Sequence, residues 1–150
     1  MSSWTIRQAT PHDWQSLATL LMAADLPLDG AKSHLSDFFL AFRDDDLIGS
    51  AGLERHGDTA LLRSVAVTAP ERGQGLGQAL VQQVLAYAAS LKVRQVVLLT
   101  TTAVDFFLRL GFQPISRATF PRAAQMSVEF QEACPASAIG MSLALVVEQQ

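Results

Sequence analysis

The sequence predicts one mixed α/β domain with a central sheet and helices on both faces. Two observations favour this fold class: the first half of the chain reads as strands joined by tight turns, and the second half alternates strands with helices. A third observation is length, because 150 residues suit a single hydrophobic core. We therefore expect one domain over residues 1–150.

The first half contains a helix followed by three consecutive strands. A strand at 4–7 precedes a helix that begins well at Thr10, because threonine caps helices, Pro11 fits a first turn and Asp13 follows as a capping acid. The buried stripe of this helix is Trp14, Leu17, Leu20 and Leu21. After a short helix at 31–36, tight turns separate strands at 38–42, 47–55 and 59–67, which predicts an antiparallel meander.

A helix with one apolar face opens the second half, and its stripe is Leu76, Leu80, Val84, Tyr87 and Leu91. Residues 93–100 are nearly all apolar, which predicts a strand buried on both faces. A second helix at 103–110 ends at Gly111 as a C-cap. Strands at 114–117 and 139–146, with an irregular or helical stretch at 120–134 between them, complete the sheet.

Composition excludes several classes of function. The chain is 49% hydrophobic and carries a net charge of −3 without a Lys/Arg cluster, so nucleic acid is not expected as a partner. Cys134 is the sole cysteine, which rules out an internal disulfide and a cysteine-based metal cluster, and we expect no metal. The first residues lack the apolar core of a signal peptide, and no apolar run is long enough to span a bilayer. We therefore expect a soluble, cytoplasmic protein without a membrane partner.

A glycine-rich turn, R-G-Q-G-L-G-Q at 72–78, connects a strand to a helix. The glycine spacing does not fit the Rossmann fingerprint, and no Lys-Ser/Thr follows as in a P-loop. One interpretation is a simple tight connection. The other is an anion cradle, because the first N–H groups of the helix point into the turn, glycines lack the Cβ atoms that would exclude phosphate oxygens, and Arg72 adds positive charge. We favour a site for a pyrophosphate.

Two motifs carry a resemblance to a known family. Residues 63–78 resemble the acetyl-CoA motif of the GNAT superfamily of N-acetyltransferases, Arg/Gln-x-x-Gly-x-Gly/Ala, with Arg72, Gly75 and Gly77 at its defining positions. Residues 103–112 are similar to the family's helix that ends in Gly-Phe. Two segments, L-L-T-T-T-A-V-D-F-F-L-R-L-G-F at 98–112 and E-F-Q-E-A-C-P-A-S-A at 129–138, resemble the small acetyltransferases associated with bacterial arsenic-resistance operons. More distantly, the chain is similar to the catalytic domain of glutamate N-acetyltransferases.

The resemblance implies a fold, a cosubstrate and a set of contacts. It implies the GNAT fold, a mostly antiparallel sheet with one splayed parallel strand pair, and acetyl-CoA as cosubstrate. Backbone groups of Val65 and Val67 would bind the pantetheine arm, and a backbone N–H there would stabilise the oxyanion. The pyrophosphate would be bound by Arg72, Gly73, Gln74, Gly75, Leu76, Gly77 and Gln78. The acceptor amine would attack directly in a ternary complex. Dimerisation is common in the family, and the apolar strand at 141–147 could extend a sheet across subunits; the alternative is that it is the last strand of the monomer.

The usual acid and base of the family are absent from their positions. Phe107 stands where many members carry a tyrosine, and Leu61 where many carry a glutamate. Glu54 is our candidate base. A carboxylate late in a mostly apolar strand is costly unless it faces a water-filled cleft, where it could act on the acceptor. The alternative is an exposed charge at the end of the strand, beside Arg55. His12 and His34 are assigned no role, His56 is expected to be solvated, and Cys134 is interpreted as a small core residue.

Two polar residues are candidates for acceptor binding. Strict strand alternation predicts that Arg63 shares a face with Val65 and Val67. Arg63 either forms a structural ion pair with Glu54 or an aspartate, or binds an acidic group of the acceptor, which we favour. Glutamate-acetylating relatives carry an arginine before their last strand, whereas this chain has C-P-A-S at 134–137, in which Ser137 is the polar candidate.

The sequence thus predicts an N-acetyltransferase that moves acetyl from acetyl-CoA to the amine of a small, acidic, amino-acid-like metabolite. Two alternatives stay open. One is a domain that binds acetyl-CoA without catalysing transfer, and the other is an acetyltransferase for protein or peptide amines.

Overall fold

A computed structural model of the protein describes residues 3–120 and 138–145. Its centre is a seven-stranded sheet. The strands are β1 (Thr5–Gln8), β2 (Phe38–Arg43), β3 (Asp46–His56), β4 (Thr59–Val67), β5 (Gln95–Thr100), β6 (Gln113–Ile115) and β7 (Ile139–Ala144). Their order is β1-β2-β3-β4-β5-β7-β6, and among these pairs β4 and β5 alone run parallel. The predicted mixed fold, with one parallel pair in an antiparallel sheet, is confirmed.

In the described part of the chain, three α-helices cover the sheet: α1 (Trp14–Ala23), α2 (Leu76–Ser90) and α3 (Val104–Arg109). The apolar stripe of α1 packs on one face against alternate residues of β2, Phe38 and Leu40. Helix α2 packs on the opposite face, over Phe39 and Ala41 of the same strand. Helices therefore lie on both faces, as predicted. A 3-10 helix at Lys32–Asp37 takes the place of the short helix expected at 31–36.

The start of α1 is fixed by local polar contacts. The Thr10 N–H donates to Asp13 Oδ2 at 2.7 Å, which confirms the predicted role of the acid. Arg7 donates to both oxygens of Asp13, at 2.8 and 2.9 Å. The hydrogen bonds from Arg7 hold the pKa of the Asp13 carboxyl well below its usual range, although desolvation acts in the opposite direction.

The end of α3 is a Schellman motif. Gly111 adopts a φ of 101°, which a side chain would strain, and the Phe112 N–H donates to the Phe107 carbonyl at 3.0 Å. The rings of Phe107 and Phe112 pack edge to face with centroids 5.6 Å apart. The predicted glycine stop is confirmed, and it anchors α3 on the sheet.

A β-bulge interrupts β4. Ser64 and Val65 lie together opposite the single residue Ala51 of β3. Ser64 adopts a φ of 58°, the left-handed conformation, which costs an L-residue roughly 1–2 kcal/mol. A bulge of one residue reverses the faces of all the residues beyond it.

Because of the bulge, the prediction that Arg63 shares a face of β4 with Val65 and Val67 is wrong. Val65 and Val67 pack against the buried cluster beneath α2. Arg63 instead lies opposite Gly52, which pairs with Phe38 in the cluster beneath α1. Arg63 and the two valines therefore lie on opposite faces of the sheet.

Strand β7 is paired on both sides. Residues 140–142 pair with β5 on one edge and with β6 on the other. Residues 140–142 therefore have no free edge with which to extend the sheet into a partner subunit, and here β7 is a strand of the monomer's own sheet. Of the segment 141–147 considered for a dimer, residues 146 and 147 lie outside the described residues.

Two residues of the predicted apolar stripe of α2 are not simple core residues. Leu91 lies beyond the end of the helix and is 37% exposed. Tyr87 packs partly against the core, and its hydroxyl donates to Asp37 Oδ1 at 2.5 Å. Desolvation first, and then this hydrogen bond, raise the pKa of Tyr87. Tyr87 thus connects α2 to the 3-10 helix before β2.

Candidate active site

Strands β4 and β5 separate along their length and open a cavity. Their parallel ladder runs from Thr59 opposite Gln95 to Leu61 opposite Val97 and goes no further. Beyond that point lies a cavity of about 520 Å³. It is lined by the loop after α1, both separated strands, the start of α3 and Ala138: Asp25, Leu26, Pro27, Leu62, Arg63, Ser64, Val65, Leu98, Leu99, Thr100, Thr101, Thr102, Ala103, Phe106 and Phe107. Because the strands are separated here, the cavity is open to both faces of the sheet. Arg63 and Val65, which lie on opposite faces of β4, therefore both line it.

A second cavity of about 650 Å³ lies beside the glycine-rich turn. It is lined by the end of β4, the turn and α3: Val67, Glu71, Arg72, Gly73, Gly75, Leu76, Gly77, Gln78, Phe106, Arg109 and Leu110. Of the seven residues predicted for the pyrophosphate, all except Gln74 line it. Phe106 lines both cavities, which are therefore neighbours.

The turn at 72–78, which we call the cradle, has the geometry of an anion site. Gly73 and Gly75 both adopt a φ of 82°, and no atom lies within 4 Å of where their Cβ atoms would stand. The first helical bond of α2 runs from the Ala79 N–H to the Gly75 carbonyl, so the preceding N–H groups of the first turn lack helical acceptors. These donors and the helix dipole suit an anion such as a phosphate.

Arg72 is positioned at the rim of the cradle. Its Nε donates to the Val67 carbonyl at 3.2 Å, which ties the arginine to the end of β4. The Val67 carbonyl, predicted with Val65 as a backbone contact for pantetheine, thus also orients the cation beside the phosphate site.

The comparisons with known proteins agree with this geometry. Residues 4–112 match the acetyltransferase (GNAT) family. The chain belongs to this family. An uncharacterized N-acetyltransferase of Chlorobaculum tepidum is 32% identical over 90 residues, or 59% of this chain and 57% of that protein. This chain thus matches little more than half the length of that GNAT relative.

Solved GNAT structures share the fold. N-acetylglutamate synthase from Neisseria gonorrhoeae, complexed with coenzyme A and N-acetyl-glutamate, gives a TM-score of 0.82 at 21% identity, over 97% of this chain and 36% of that one. Arabidopsis thaliana Naa50, with the bisubstrate analogue CoA-Ac-MVNAL, gives 0.73 at 16% identity, over 95% and 99% of the two chains. At these identities the likeness establishes the fold, and the neighbours include complexes with an amino-acid product and with a peptide analogue.

The positions where many GNAT members carry an acid and a base are apolar in this chain. Phe107 is 5% exposed and packs between Phe106 and Phe112. Leu61 is fully buried with Val97 and Phe120. Neither of these two positions can therefore supply an acid or a base for proton transfer.

Glu54 and Arg63, predicted separately as base and acceptor-binding residue, contact each other. Arg63 Nη1 donates to Glu54 Oε2 at 2.5 Å, and both residues are 2% exposed. Further N–H groups of Arg63 donate to the Pro27 carbonyl and to Ser64 Oγ, each at 3.2 Å. The alternative of an exposed charge for Glu54 is excluded, and the ion pair considered for Arg63 is present. Arg63 lines the cavity, whereas Glu54 lies behind it.

Two histidines approach the same carboxylate. His56 Nε2 lies 3.3 Å and His34 Nε2 lies 3.8 Å from Glu54 Oε1. His34, to which the sequence assigned no role, lies against the end of β3 because the 3-10 helix places it there. His56 is 19% exposed, so it is partly solvated and also contacts Glu54. Burial, partly opposed by the charge of Glu54, lowers the pKa of His34. We call His34, Glu54, His56, Arg63 and Ser64 the acceptor cluster.

The remaining candidates from the sequence concern Ser137, Cys134, metal binding and membrane spans. Ser137 and Cys134 lie outside the described residues. Across residues 3–120 and 138–145, no three His, Cys, Asp or Glu side chains are arranged to bind a metal ion. No helix in those ranges has both the length and the apolar character required to cross a bilayer.

Sequence reasoning missed several polar residues of the cavity, among them Asp25 and Ser64. Asp25 follows α1, is exposed and lines the same cavity as Arg63. Ser64 reads as an ordinary strand residue in L-L-R-S-V-A-V, and nothing in those letters signals a bulge. Asp25 was detectable as an acid directly after a helix, although the packing of its loop over β4 was not.

Proposed function

We propose that this GNAT domain transfers acetyl from acetyl-CoA to the amine of a small, acidic, amino-acid-like metabolite. The observation that carries the proposal is the position of Arg63, a buried cation in the wall of the cavity beside the cradle. A cation next to the site of acetyl transfer favours an acceptor with an acidic group. The narrower resemblance to arsenic-resistance acetyltransferases adds phosphorus- and arsenic-containing amino-acid analogues to this class.

The donor side is built to bind coenzyme A. When bound, acetyl-CoA supplies an activated thioester. The cradle and Arg72 bind the pyrophosphate, and backbone groups of Val65 and Val67 lie along the route of the pantetheine arm between the two cavities. The bulge turns backbone groups of β4 toward the cavity, where an N–H would stabilise the oxyanion that forms during attack.

The acceptor side matches both charges of an amino acid. Asp25 lines the cavity and would attract an ammonium group, and the buried positive charge of Arg63 favours an acidic group in the same space. The two charges together would hold the amine in the opening between β4 and β5, beside the acetyl group. Attack is then direct, within a ternary complex.

Glu54 is our candidate for the base. It lies directly across the β3–β4 ladder from Leu61, the position at which many GNAT members carry a glutamate. Cross-strand neighbours share a face, so the carboxylate is displaced by one strand and remains on the same side of the sheet. A water molecule would have to carry the proton past Arg63, and His56 offers an exit toward solvent.

The test is the initial rate of CoA release from acetyl-CoA over matched pairs of acceptors. Each acidic amino acid is paired with its decarboxylated amine, and polyamines, aminoglycosides and short peptides complete the panel. We expect kcat/KM to be about 10- to 100-fold higher for the acid of the preferred pair, because a hydrogen bond to a charged group contributes binding energy of that size. In the same assay Glu54→Gln should lower kcat, whereas Asp58→Asn, which removes an exposed carboxylate from the same hairpin, should not.

The other outcomes contradict the proposal. Equal rates for acids and their decarboxylated amines would remove the acidic acceptor. Faster transfer to short peptides would favour a peptide acetyltransferase. Tight binding of acetyl-CoA without CoA release from any amine would indicate a binding domain without transferase activity.

A further inference from the structure

We propose that the Ser64 hydroxyl donates a hydrogen bond to the acidic group of the acceptor, and that Arg63 acts on the acceptor through Ser64. This inference rests on the proposed function, since it names the residue that contacts the acidic group. Ser64 thereby becomes a determinant of acceptor specificity that lies in the bulge itself.

The first observation is conformational. In the part of the chain that the structure describes, Ser64 is the one non-glycine residue with positive φ inside a strand, whereas Asp25, Asp44 and Lys92 adopt such angles between elements. It is 7% exposed and lines the cavity. A left-handed residue inside a buried strand is retained where the surrounding structure enforces it, and such residues concentrate at functional sites.

Two hydrogen bonds enforce this conformation. Ser50 Oγ donates to the Ser64 carbonyl at 2.7 Å in a buried position. Arg63 Nε donates to Ser64 Oγ at 3.2 Å. The bulge is therefore fixed from both the main chain and the side chain.

The second observation concerns the hydrogen bond that the Ser64 hydroxyl can donate. A hydroxyl carries one proton, and here its oxygen already accepts from Arg63. Within residues 3–120 and 138–145, no acceptor takes the Ser64 hydroxyl proton. A buried donor without an acceptor is costly, and this one lies at the wall of the cavity. An anionic group of the acceptor would satisfy it, and a cationic donor on the oxygen strengthens the O–H as a donor.

Arg63 is placed to position Ser64 more than to contact the acceptor. Its side chain is 0% exposed, and Glu54, Pro27 and Ser64 accept hydrogen bonds from its guanidinium. The charge still lies behind the hydroxyl and favours an anion there. Ser64 is thus the contact, and Arg63 is the positioning residue that supplies the field.

The test compares Ser64→Ala and Ser64→Gly with the wild-type chain on a matched acid and decarboxylated acceptor. Both variants remove the hydroxyl, but only glycine also relieves the left-handed backbone. We expect both to lose about 10- to 100-fold in kcat/KM for the acid and to change little for the decarboxylated amine. The KM for acetyl-CoA should stay unchanged, and Ser64→Gly should be the more stable variant.

The outcomes separate this inference from the proposed function. If the wild type prefers the acid and Ser64→Gly keeps that preference, Ser64 serves only the backbone and the inference is overturned. Equal losses on both acceptors would also overturn it, because they would indicate general distortion of the site. If the wild type itself shows no preference for the acid, the proposed function fails and this inference falls with it.

Discussion

The cradle and the acceptor cluster lie on opposite faces of one sheet and are built in different ways. The cradle is a run of consecutive residues, 72–78, that offers backbone N–H groups at the start of α2. The acceptor cluster consists of side chains from the 3-10 helix at Lys32–Asp37, β3 and β4, and they are largely buried. A site made from local backbone needs only the right turn, whereas a site made from distant charged side chains depends on the whole fold.

The largest expected effect breaks the acceptor cluster. Arg63→Met leaves the Glu54 carboxylate buried without its arginine, which should lower the free energy of unfolding by about 3–5 kcal/mol. The double variant Glu54→Met/Arg63→Met should recover most of this loss, because replacing a buried ion pair with apolar side chains is often neutral. Urea denaturation of the single and double variants measures both values.

A matched control is available on the surface. Arg43→Met removes a guanidinium that is bound to Glu71, a pair with more exposed side chains than Arg63 and Glu54. We expect a smaller loss of stability there than for Arg63→Met. Additive losses in the Glu54/Arg63 double variant would mean that the two residues do not act as a unit.

The second prediction tests the cradle as a backbone site. Gly75→Ala and Gly57→Ala place the same methyl group at φ values of 82° and 73°, both in open space. Each should cost roughly 1–2 kcal/mol of stability from left-handed strain. Only Gly75→Ala should weaken acetyl-CoA binding, by about tenfold or more, because it shifts N–H groups that would bind phosphate. Calorimetric titration with acetyl-CoA separates the two, and equal Kd values would argue against a backbone phosphate site.

The features that could be predicted from the sequence are the local ones. Gly75, Gly111 and Asp13 act within a few residues of themselves, so their patterns were sufficient to predict the cradle, the end of α3 and the start of α1. The succession of strands and helices along the chain followed from the alternation of turn and apolar segments, whereas the position of β7 between β5 and β6 was not predicted. These features need no knowledge of which distant residues meet.

The acceptor cluster could not be predicted in this way. The period-two reading of β4 assumed a regular strand, and the bulge at Ser64 moved Arg63 to the face opposite Val65. In L-E-R-H-G, the letters fit an exposed strand end as well as a buried carboxylate. His34 reaches Glu54 only because of how the 3-10 helix packs against β3, which depends on tertiary structure.

The smallest predicted effect concerns pH and again contrasts buried with exposed positions. Burial lowers the pKa of His34 below its unfolded value of about 6.5, so the unfolded chain takes up the proton first as the pH falls. The stabilisation from neutral His34 is complete above that value and is lost as the pH falls toward the folded pKa. Glu54 and Asp37 favour the charged form, whereas His56 and Arg63 oppose it, which makes the net effect modest.

His34→Gln should therefore reduce the loss of stability between pH 7.5 and 5.5, relative to the wild type. His12→Gln, which removes an exposed histidine at the start of α1, should leave that loss unchanged. Urea midpoints at the two pH values, with the m-value held constant, give the comparison. If His34→Gln and the wild type lose the same stability, then the proton is taken up elsewhere in the chain, and His34 is not the group in the acceptor cluster through which pH acts on the fold.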